Sequence, residues 1–237
     1  MLNFMKRAPD IPRLSAEQIH SQYPHRRWQV FYSVYLGYAA FYVVRKNIST
    51  ALPSLMKQLQ VSKSEMGIIL SLFNAVYALA KLVNGPWCDR SNPRYFMTVG
   101  LLGAAVANLF FGASSSFIFF AIFWLANGYF QSMGSPVGPK TMANWYSSRE
   151  RGRYYSLWNT CHNFGSFIIL LLGGFIVERW GWRAGFYIPG IIAGSAAILV
   201  ALKMLDRPES VGLPSIQEYH GERSEERRVG KECRSRW

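Results

Sequence analysis

The chain has 237 residues; half are hydrophobic, 16% are aromatic and only 16% are charged, against roughly 25% charged residues in an ordinary soluble domain. Of the 39 charged side chains (26 Lys or Arg plus 13 Asp or Glu), 18 lie in the 177 residues from Trp28 to Met204 and 21 in the 60 flanking residues. A soluble globular domain, a disordered protein and a coiled coil are excluded. The net charge of +13 is spread between apolar segments and forms no basic, aromatic-studded patch, so nucleic acid is not an expected partner.

Residues 1–27 carry Lys6, Arg7, Arg13, Arg26 and Arg27 but also Pro9, Asp10, Pro12 and Glu17, with no apolar stretch and cleavage site behind them. They read as a polar segment inside the cell, not a removable signal peptide. Six stretches then approach the roughly 20 apolar residues a membrane helix needs: Trp28–Ala51, Ser64–Trp87, Tyr95–Ala113, Phe117–Ala143, Tyr154–Val177 and Arg183–Leu205. Short polar links join them. Ser62 stands three residues before Glu65, a helix-start pattern. The links at residues 88–94, 114–116, 147–153 and 178–182 are turn-rich or charged. Pro136, Pro139 and Pro189 fall inside spans and are expected to kink or soften those helices, which is tolerated if neighbours satisfy the freed backbone groups. With the N-terminus inside, the inner loops hold twelve Lys or Arg and the outer loops four: Lys57, Lys63, Arg179 and Arg183. The positive-inside rule therefore predicts cytoplasmic termini. The expected architecture is all-α: a polytopic membrane protein of six transmembrane helices.

Cys88, Cys161 and Cys233 share no pair spacing, so neither a disulfide framework nor a metal site is indicated, and no cofactor is implied. Paired carboxylates, a nucleophile elbow and a phosphate-cradling loop are also missing from the sequence, so an enzyme is not the expected class.

Four cations cannot be placed in loops: Arg45, Lys46, Lys81 and Lys140. A charge at mid-bilayer costs at least ~2.5 kcal/mol, which makes each a functional candidate unless it snorkels to a headgroup. Helical spacing groups them with polar neighbours. Tyr38, Tyr42 and Arg45 share one face of the first span, Asn74, Tyr77 and Lys81 one face of the second, and Asn159, His162 and Ser166 one face of the fifth. No acidic residue lies deep in any span. A buried, unpaired cation needs water or an anion, so these faces are expected to line a site for an anion, with Arg suited to phosphate through its planar fork. His162 is either a hydrogen-bonding neighbour or a titrating group beside the anion. At ~1.5 Å per residue, Arg45 falls nearer the outer side than Lys81 or His162, unless the helices extend into the cytoplasm.

These residues carry a resemblance. The run Gly37-Tyr38-Ala39-Ala40-Phe41-Tyr42-Val43-Val44-Arg45-Lys46-Asn47 resembles the first-helix signature of the organophosphate:phosphate antiporters of the major facilitator superfamily, which include glycerol-3-phosphate and hexose-phosphate transporters. Asp89-Arg90-Ser91-Asn92-Pro93-Arg94 looks like that family's loop between helices two and three. Glu150-Arg151-Gly152, with Trp158-Asn159-Thr160-Cys161-His162-Asn163-Phe164-Gly165, is similar to its fifth-helix motif. Asp206-Arg207-Pro208-Glu209 and Gly212-Leu213-Pro214 resemble the start of its central cytoplasmic loop.

The resemblance implies the amino-terminal six-helix bundle of the major facilitator fold in the bacterial inner membrane, truncated before the C-terminal six-helix half. It implies exchange of a phosphorylated sugar or glycerol for inorganic phosphate by alternating access. Arg45 would hold the phosphoryl group with a second arginine from the other half. Tyr38, Tyr42, Tyr77, Lys81, Asn159 and His162 would line the substrate site, and Asp89, Arg90, Arg94 and Arg151 would form the cytoplasmic gate and loop. Gly165-Ser166-Phe167 departs from the family, whose glycines often continue there. Residues 28–205 are the expected bundle, 206–221 the start of the central loop, and 222–237, where the composition shifts abruptly, a suspected non-native tail. A close relative in the hexose-phosphate group is a sensor of external sugar phosphate that signals to a membrane histidine kinase. Gly134-Ser135-Pro136-Val137, Trp180-Gly181-Trp182-Arg183-Ala184-Gly185 and the Arg207-Pro208 loop look at least as much like that receptor.

Overall fold

A computed structural model describes residues 5–221; the suspected tail at 222–237 lies outside them. The chain runs through α1 (Ala16–Leu59), α2 (Lys63–Arg90), α3 (Pro93–Ala113), α4 (Phe117–Ser132), α5 (Gly134–Trp145), α6 (Ser148–Asn159), α7 (Cys161–Trp180) and α8 (Ala184–Lys203), then a 3-10 turn (Pro208–Val211) and the short α9 (Ile216–Tyr219). Among the described residues there is no strand, only an isolated antiparallel bridge between Lys6 and Ser91. Helix α1 packs on α7 and α8, α3 on α8 and α4, and α2 on α4.

The helix ends follow local chemistry. Ser62 Oγ accepts from the Glu65 amide at 3.2 Å, and the Glu65 carboxylate accepts from the Ser62 amide at 2.8 Å, completing the expected start of α2. Ser15 with Gln18 and Ser147 with Glu150 repeat the device at α1 and α6. Asn92 caps α3, with Pro93 in its first turn, where no amide is needed. Because Ser15 caps α1, that helix begins at Ala16, twelve residues before the apolar stretch at Trp28. Hydropathy reports only the greasy part of a helix, and the capped, polar extension escapes it.

The prolines act as chain chemistry requires. Pro136 has no N–H for the Ser132 carbonyl, and the fourth expected span breaks at Met133 into α4 and α5, with the Ser135 hydroxyl donating to the Ser132 carbonyl at 3.4 Å. Pro189 likewise frees the Gly185 carbonyl, which accepts from Asn47 Nδ2 on α1 at 3.0 Å. The fifth expected span is interrupted at Thr160, whose hydroxyl donates to the Leu157 carbonyl at 2.8 Å.

By length and composition, four stretches among the described residues could cross a membrane: Lys63–Arg90, Pro93–Ala113, Ser148–Trp180 (α6 and α7 taken together) and Ala184–Lys203. The first expected span carries Arg45 and Lys46, and the fourth is cut by its break, so neither meets that criterion although both are helical. The outer faces are apolar: Leu79, Leu82, Val83, Phe167, Leu171 and Phe175 are 61–73% exposed. Patches of that kind mark a surface covered by something other than water. Where the helices do meet, small residues let them close. A Cβ on Gly165 of α7 would stand 2.2 Å from the Ala39 carbonyl of α1, so only glycine permits that approach, and the neighbouring Phe167 of the departing motif points outward.

Candidate functional site

Arg45 is half-buried on α1, and its surroundings come mostly from α2. The guanidinium carbon lies 4.4 Å from the Tyr77 ring centre, 5.3 Å from Phe73 and 5.7 Å from Tyr42. One Nη2–H donates to Asn74 Oδ1 at 3.5 Å. The Lys81 ammonium lies 5.5 Å from the same Tyr77 ring. Tyr77 thus stands beside two cations, and among the described residues no carboxylate pairs with either. Ring faces attract a cation by only ~0.5–2 kcal/mol. They hold the side chain in place without neutralising it, and most of the five guanidinium donors remain available.

The expected face of α1 forms in part. Tyr42 lies 5.3 Å from the His162 ring on α7, which brings the first, second and fifth spans to one place. Tyr38 is buried, packed 5.6 Å from Tyr42 and 5.0 Å from Trp158, so it backs the site instead of opening onto it. Asn159 is exposed at the end of α6, just before the interruption at Thr160. Ser166 turns its hydroxyl back to the His162 carbonyl at 2.7 Å. The difference in depth between Arg45 and Lys81 is bridged by the Tyr77 ring, and α1 and α2 both extend beyond their apolar parts.

A polar network behind Arg45 escaped the reading of the sequence. The carbonyl of Val44, one residue before Arg45, accepts from Asn127 Nδ2 of α4 at 3.1 Å and from Asn108 Nδ2 of α3 at 3.3 Å. Asn47 Nδ2 donates to Asn108 Oδ1 at 2.8 Å, and Gln131 Nε2 donates to Asn127 Oδ1 at 3.2 Å. All four side chains are buried. Three helices therefore fix the backbone that presents the guanidinium. The available signal was asparagine inside apolar spans, where polar groups must find partners.

The remaining candidates serve the end of the bundle that carries both described termini. Lys140 is no anion ligand here. Its ammonium donates to the carbonyls of Cys88 at 2.7 Å and Asp89 at 3.2 Å, and to that of Ser91, so it caps the C-terminus of α2. Lys46 is exposed. Asp89 and Arg90 are exposed at the end of α2. Arg94 Nε donates to the Ala201 carbonyl of α8 at 2.6 Å, and Arg151 donates to the Tyr146 carbonyl at 3.3 and 3.4 Å. Each of these two arginines ties a helix end. Arg27 pairs with Glu150 and lies 4.6 Å from the Tyr146 ring.

The two terminal segments also clasp each other. Asp206 accepts from the Ala8 amide at 2.9 Å, and Arg207 pairs with Asp10 at 2.9 Å. The Leu14 amide donates to the Gly212 carbonyl at 2.9 Å, and Tyr23 stacks on Tyr219 with ring centres 4.1 Å apart. Burial raises the pKa of the Asp206 carboxyl against the pull of that amide and of nearby Lys140, Arg207 and Arg7.

An apolar helical bundle that turns an unpaired arginine, a lysine and a histidine onto one face invites comparison with transport proteins. The sequence model of the Major Facilitator Superfamily matches residues 34–233. A probable hexose phosphate transport protein of Chlamydia pneumoniae is 40% identical over 203 residues, 86% of this chain and 45% of that protein. The membrane sensor protein UhpC of Escherichia coli (strain K12) is 38% identical over 220 residues, 92% and 50% of the two chains. The glycerol-3-phosphate transporter of Bacillus subtilis (strain 168) is 39% identical over 227 residues, 94% and 51%. The chain thus spans about half the length of these relatives. Among solved structures, an inward-facing, unoccupied bacterial homolog of the human lysosomal transporter Spinster superposes with a TM-score of 0.72 at 18% identity, over 78% of this chain and 44% of that one. The POT family transporter PepTSo gives 0.60 at 19% identity, over 78% and 39%. At such identities the likeness concerns the fold alone, but the sequence match extends over most of the chain: it belongs to the Major Facilitator Superfamily.

Proposed function

We propose that the chain is the amino-terminal half of a transporter that exchanges an organic phosphate ester, a hexose 6-phosphate or glycerol 3-phosphate, for inorganic phosphate. The observation that carries this is the Arg45 guanidinium, caged by Tyr77, Phe73 and Tyr42 and unmatched by any carboxylate among the described residues. Its planar fork suits a phosphoryl group. Lys81 adds a point charge, Tyr42, Asn74 and Tyr77 add neutral donors, and His162 borders the same space. The hexose-phosphate and glycerol-3-phosphate relatives support the substrate class.

In this reading six spans cross the bacterial inner membrane, with α4–α5 and α6–α7 each crossing once as a broken rod and both termini in the cytoplasm. Residues 1–27 precede the bundle at 28–205, and 206–221 begin the central loop. A second cationic group from the C-terminal six-helix half closes the site, and the halves rock about it. Asp89, Arg90, Arg94 and Arg151 sit at the cytoplasmic end, where the gate forms. Titration of this chain joined to its C-terminal six-helix half with glucose 6-phosphate, glycerol 3-phosphate and unphosphorylated glucose tests the site. Both esters are expected to bind and glucose is not; equal binding of glucose and its phosphate would sink the proposal.

A second reading is a sensor of external sugar phosphate working through a membrane histidine kinase. It is supported by the match to the E. coli sensor, 38% identical over 92% of this chain, beside 39% over 94% for the B. subtilis transporter. Uptake of sugar phosphate into phosphate-loaded vesicles without any kinase supports transport. A transcriptional response that needs the kinase, without uptake, supports the sensor.

A further inference from the structure

Two cavities border α3, one reaching Tyr95 and the other beginning about one turn further on, at Val99. The first, of about 480 Å3, is lined by Lys6 and Arg7 of the N-terminal segment, by Arg94 and Tyr95 of α3, and by Leu205 and Asp206 after α8. The bridge from Lys6 to Ser91 and the Asn92 amide donating to the Met5 carbonyl at 2.8 Å hold the N-terminal segment against the start of α3. Three cations face one carboxylate, and that carboxylate already accepts from the Ala8 amide. Arg7 spends one Nη2–H on the Asp89 carbonyl and Arg94 spends its Nε–H on Ala201, which leaves other guanidinium donors of both residues uncommitted. Among the described residues no carboxylate pairs with Lys6, Arg7 or Arg94.

The second cavity, of about 500 Å3, is an apolar groove between α3 and α4, with Val99, Leu102 and Val106 on one wall and Phe123, Ala126 and Phe130 on the other. Tyr95, Val99, Leu102, Val106 and Phe110 follow one another at intervals of four, three, four and four, so they form one stripe of α3. Leu102, Val106 and Phe110 are 43–53% exposed. The floor is set by Gly103, where a Cβ would lie 2.3 Å from the Phe130 ring. From Val99 to Phe110 the helix rises about 16 Å, close to the depth of one leaflet of a ~30 Å hydrocarbon core. Tyr95 stands where that stripe meets the basic cavity, the level tyrosine favours at a membrane surface. The stripe lies opposite the face of α3 that turns Asn108 inward, so it is separate from the Arg45 site.

We propose that these cavities form one binding site for an anionic phospholipid of the inner leaflet, its headgroup phosphate held by Lys6, Arg7 and Arg94 and one acyl chain laid in the α3–α4 groove. The chemistry is that of a phosphodiester joined to a hydrocarbon tail. Charge selects the headgroup, and the groove distinguishes a lipid from a free phosphate.

The test reconstitutes the chain in equimolar phosphatidylglycerol and phosphatidylcholine, extracts it in mild detergent and counts retained lipids by native mass spectrometry. Phosphatidylglycerol is expected to be retained about ten-fold over phosphatidylcholine. The double variant Lys6→Gln with Arg7→Gln is expected to abolish that preference, and Val106→Trp to reduce retention of phosphatidylglycerol several-fold by filling the groove without changing charge. Melting followed by circular dichroism checks that both variants fold, and because Val106 is a surface position its variant tests the groove even if the double variant is unstable. Equal retention of the two lipids, or a preference that survives both changes, overturns the site. Loss of bound phosphatidylglycerol to millimolar inorganic phosphate would reassign the cavity to a free anion and overturn the lipid.

Discussion

Arg45 can be held by rings and still be incomplete because a cation–π contact and an ionic hydrogen bond do different work. The rings fix position, and the N–H fork remains for a ligand. Lysine at this position keeps the charge but loses the fork. In the full-length protein proposed above, Arg45→Lys is therefore expected to weaken glucose 6-phosphate binding at least about ten-fold, the loss of ~1.4 kcal/mol or more of charge-assisted bonding. Isothermal titration reads it, and unchanged affinity would remove Arg45 from the phosphate site. The side chains behind it act through position. Asn127→Leu removes one donor from the Val44 carbonyl while keeping the branched shape of the side chain and the Asn108 bond. Because it also leaves the buried Gln131 amide without its acceptor, it is expected to lower the melting temperature together with a several-fold loss of sugar-phosphate affinity; a drop in melting with intact affinity would make Asn127 a purely structural residue. The neighbourhood of Tyr42 and Arg45 was legible in the sequence because they keep helical spacing and no acid interrupts them, whereas the burial of Tyr38 on the same face was not. Asn127 and Asn108 were not, because an asparagine in an apolar run looks the same whether it serves its own helix or another.

At the scale of helices, a cation in a span has two structural fates, and spacing cannot tell them apart. Arg45 meets rings and one amide oxygen, whereas Lys140 meets a helix end 52 residues earlier in the chain. That partner is visible only once α2 and α5 are packed. Lys140→Met strips three carbonyls of their donor and is expected to destabilise the bundle by about 2–3 kcal/mol, the range for hydrogen bonds to a charged group, while leaving sugar-phosphate affinity near that of the parent. Urea unfolding in detergent measures the first part; an unchanged midpoint would show that water caps α2 equally well. Gly165 sets how closely α1 and α7 approach. Gly165→Ala places a methyl 2.2 Å from the Ala39 carbonyl, a backbone atom that cannot swing aside. Overpacking of that kind costs about 1–3 kcal/mol, and because Tyr42 and His162 stand on these two helices, ligand affinity should fall with stability. A variant that melts and binds like the parent would mean that the helices shift without consequence. The break at Thr160 went unseen because hydropathy runs through it, whereas Pro136 announced a distortion of the fourth span, found as the break at Met133.

At the scale of the molecule, the charge distribution and the contacts point the same way. The five cations before Trp28 and the Ser147–Arg153 link lie at the end where the terminal segments clasp through Asp206, Arg207 and Tyr23. That clasp joins residues about 200 apart in sequence, so the composition of either segment alone could not reveal it. If this end faces the cytoplasm, as the excess of Lys and Arg predicts, impermeant reagents must miss it from outside. Cys88 and Cys161 are buried and stay silent, and Cys233→Ser removes the third thiol. In that background Gly152→Cys enters open space beside α6, and Lys63→Cys reports the opposite end, at the start of α2. A membrane-impermeant maleimide applied to intact cells is expected to label Lys63→Cys and to reach Gly152→Cys only after the membrane is permeabilised. The reverse pattern would put the clasp outside the cell and the basic cavity beside α3 in the wrong leaflet. Labelling of both positions in intact cells would mean that α2, α3 and the α4–α5 rod do not make three crossings between them, and the six-span reading would fall with it.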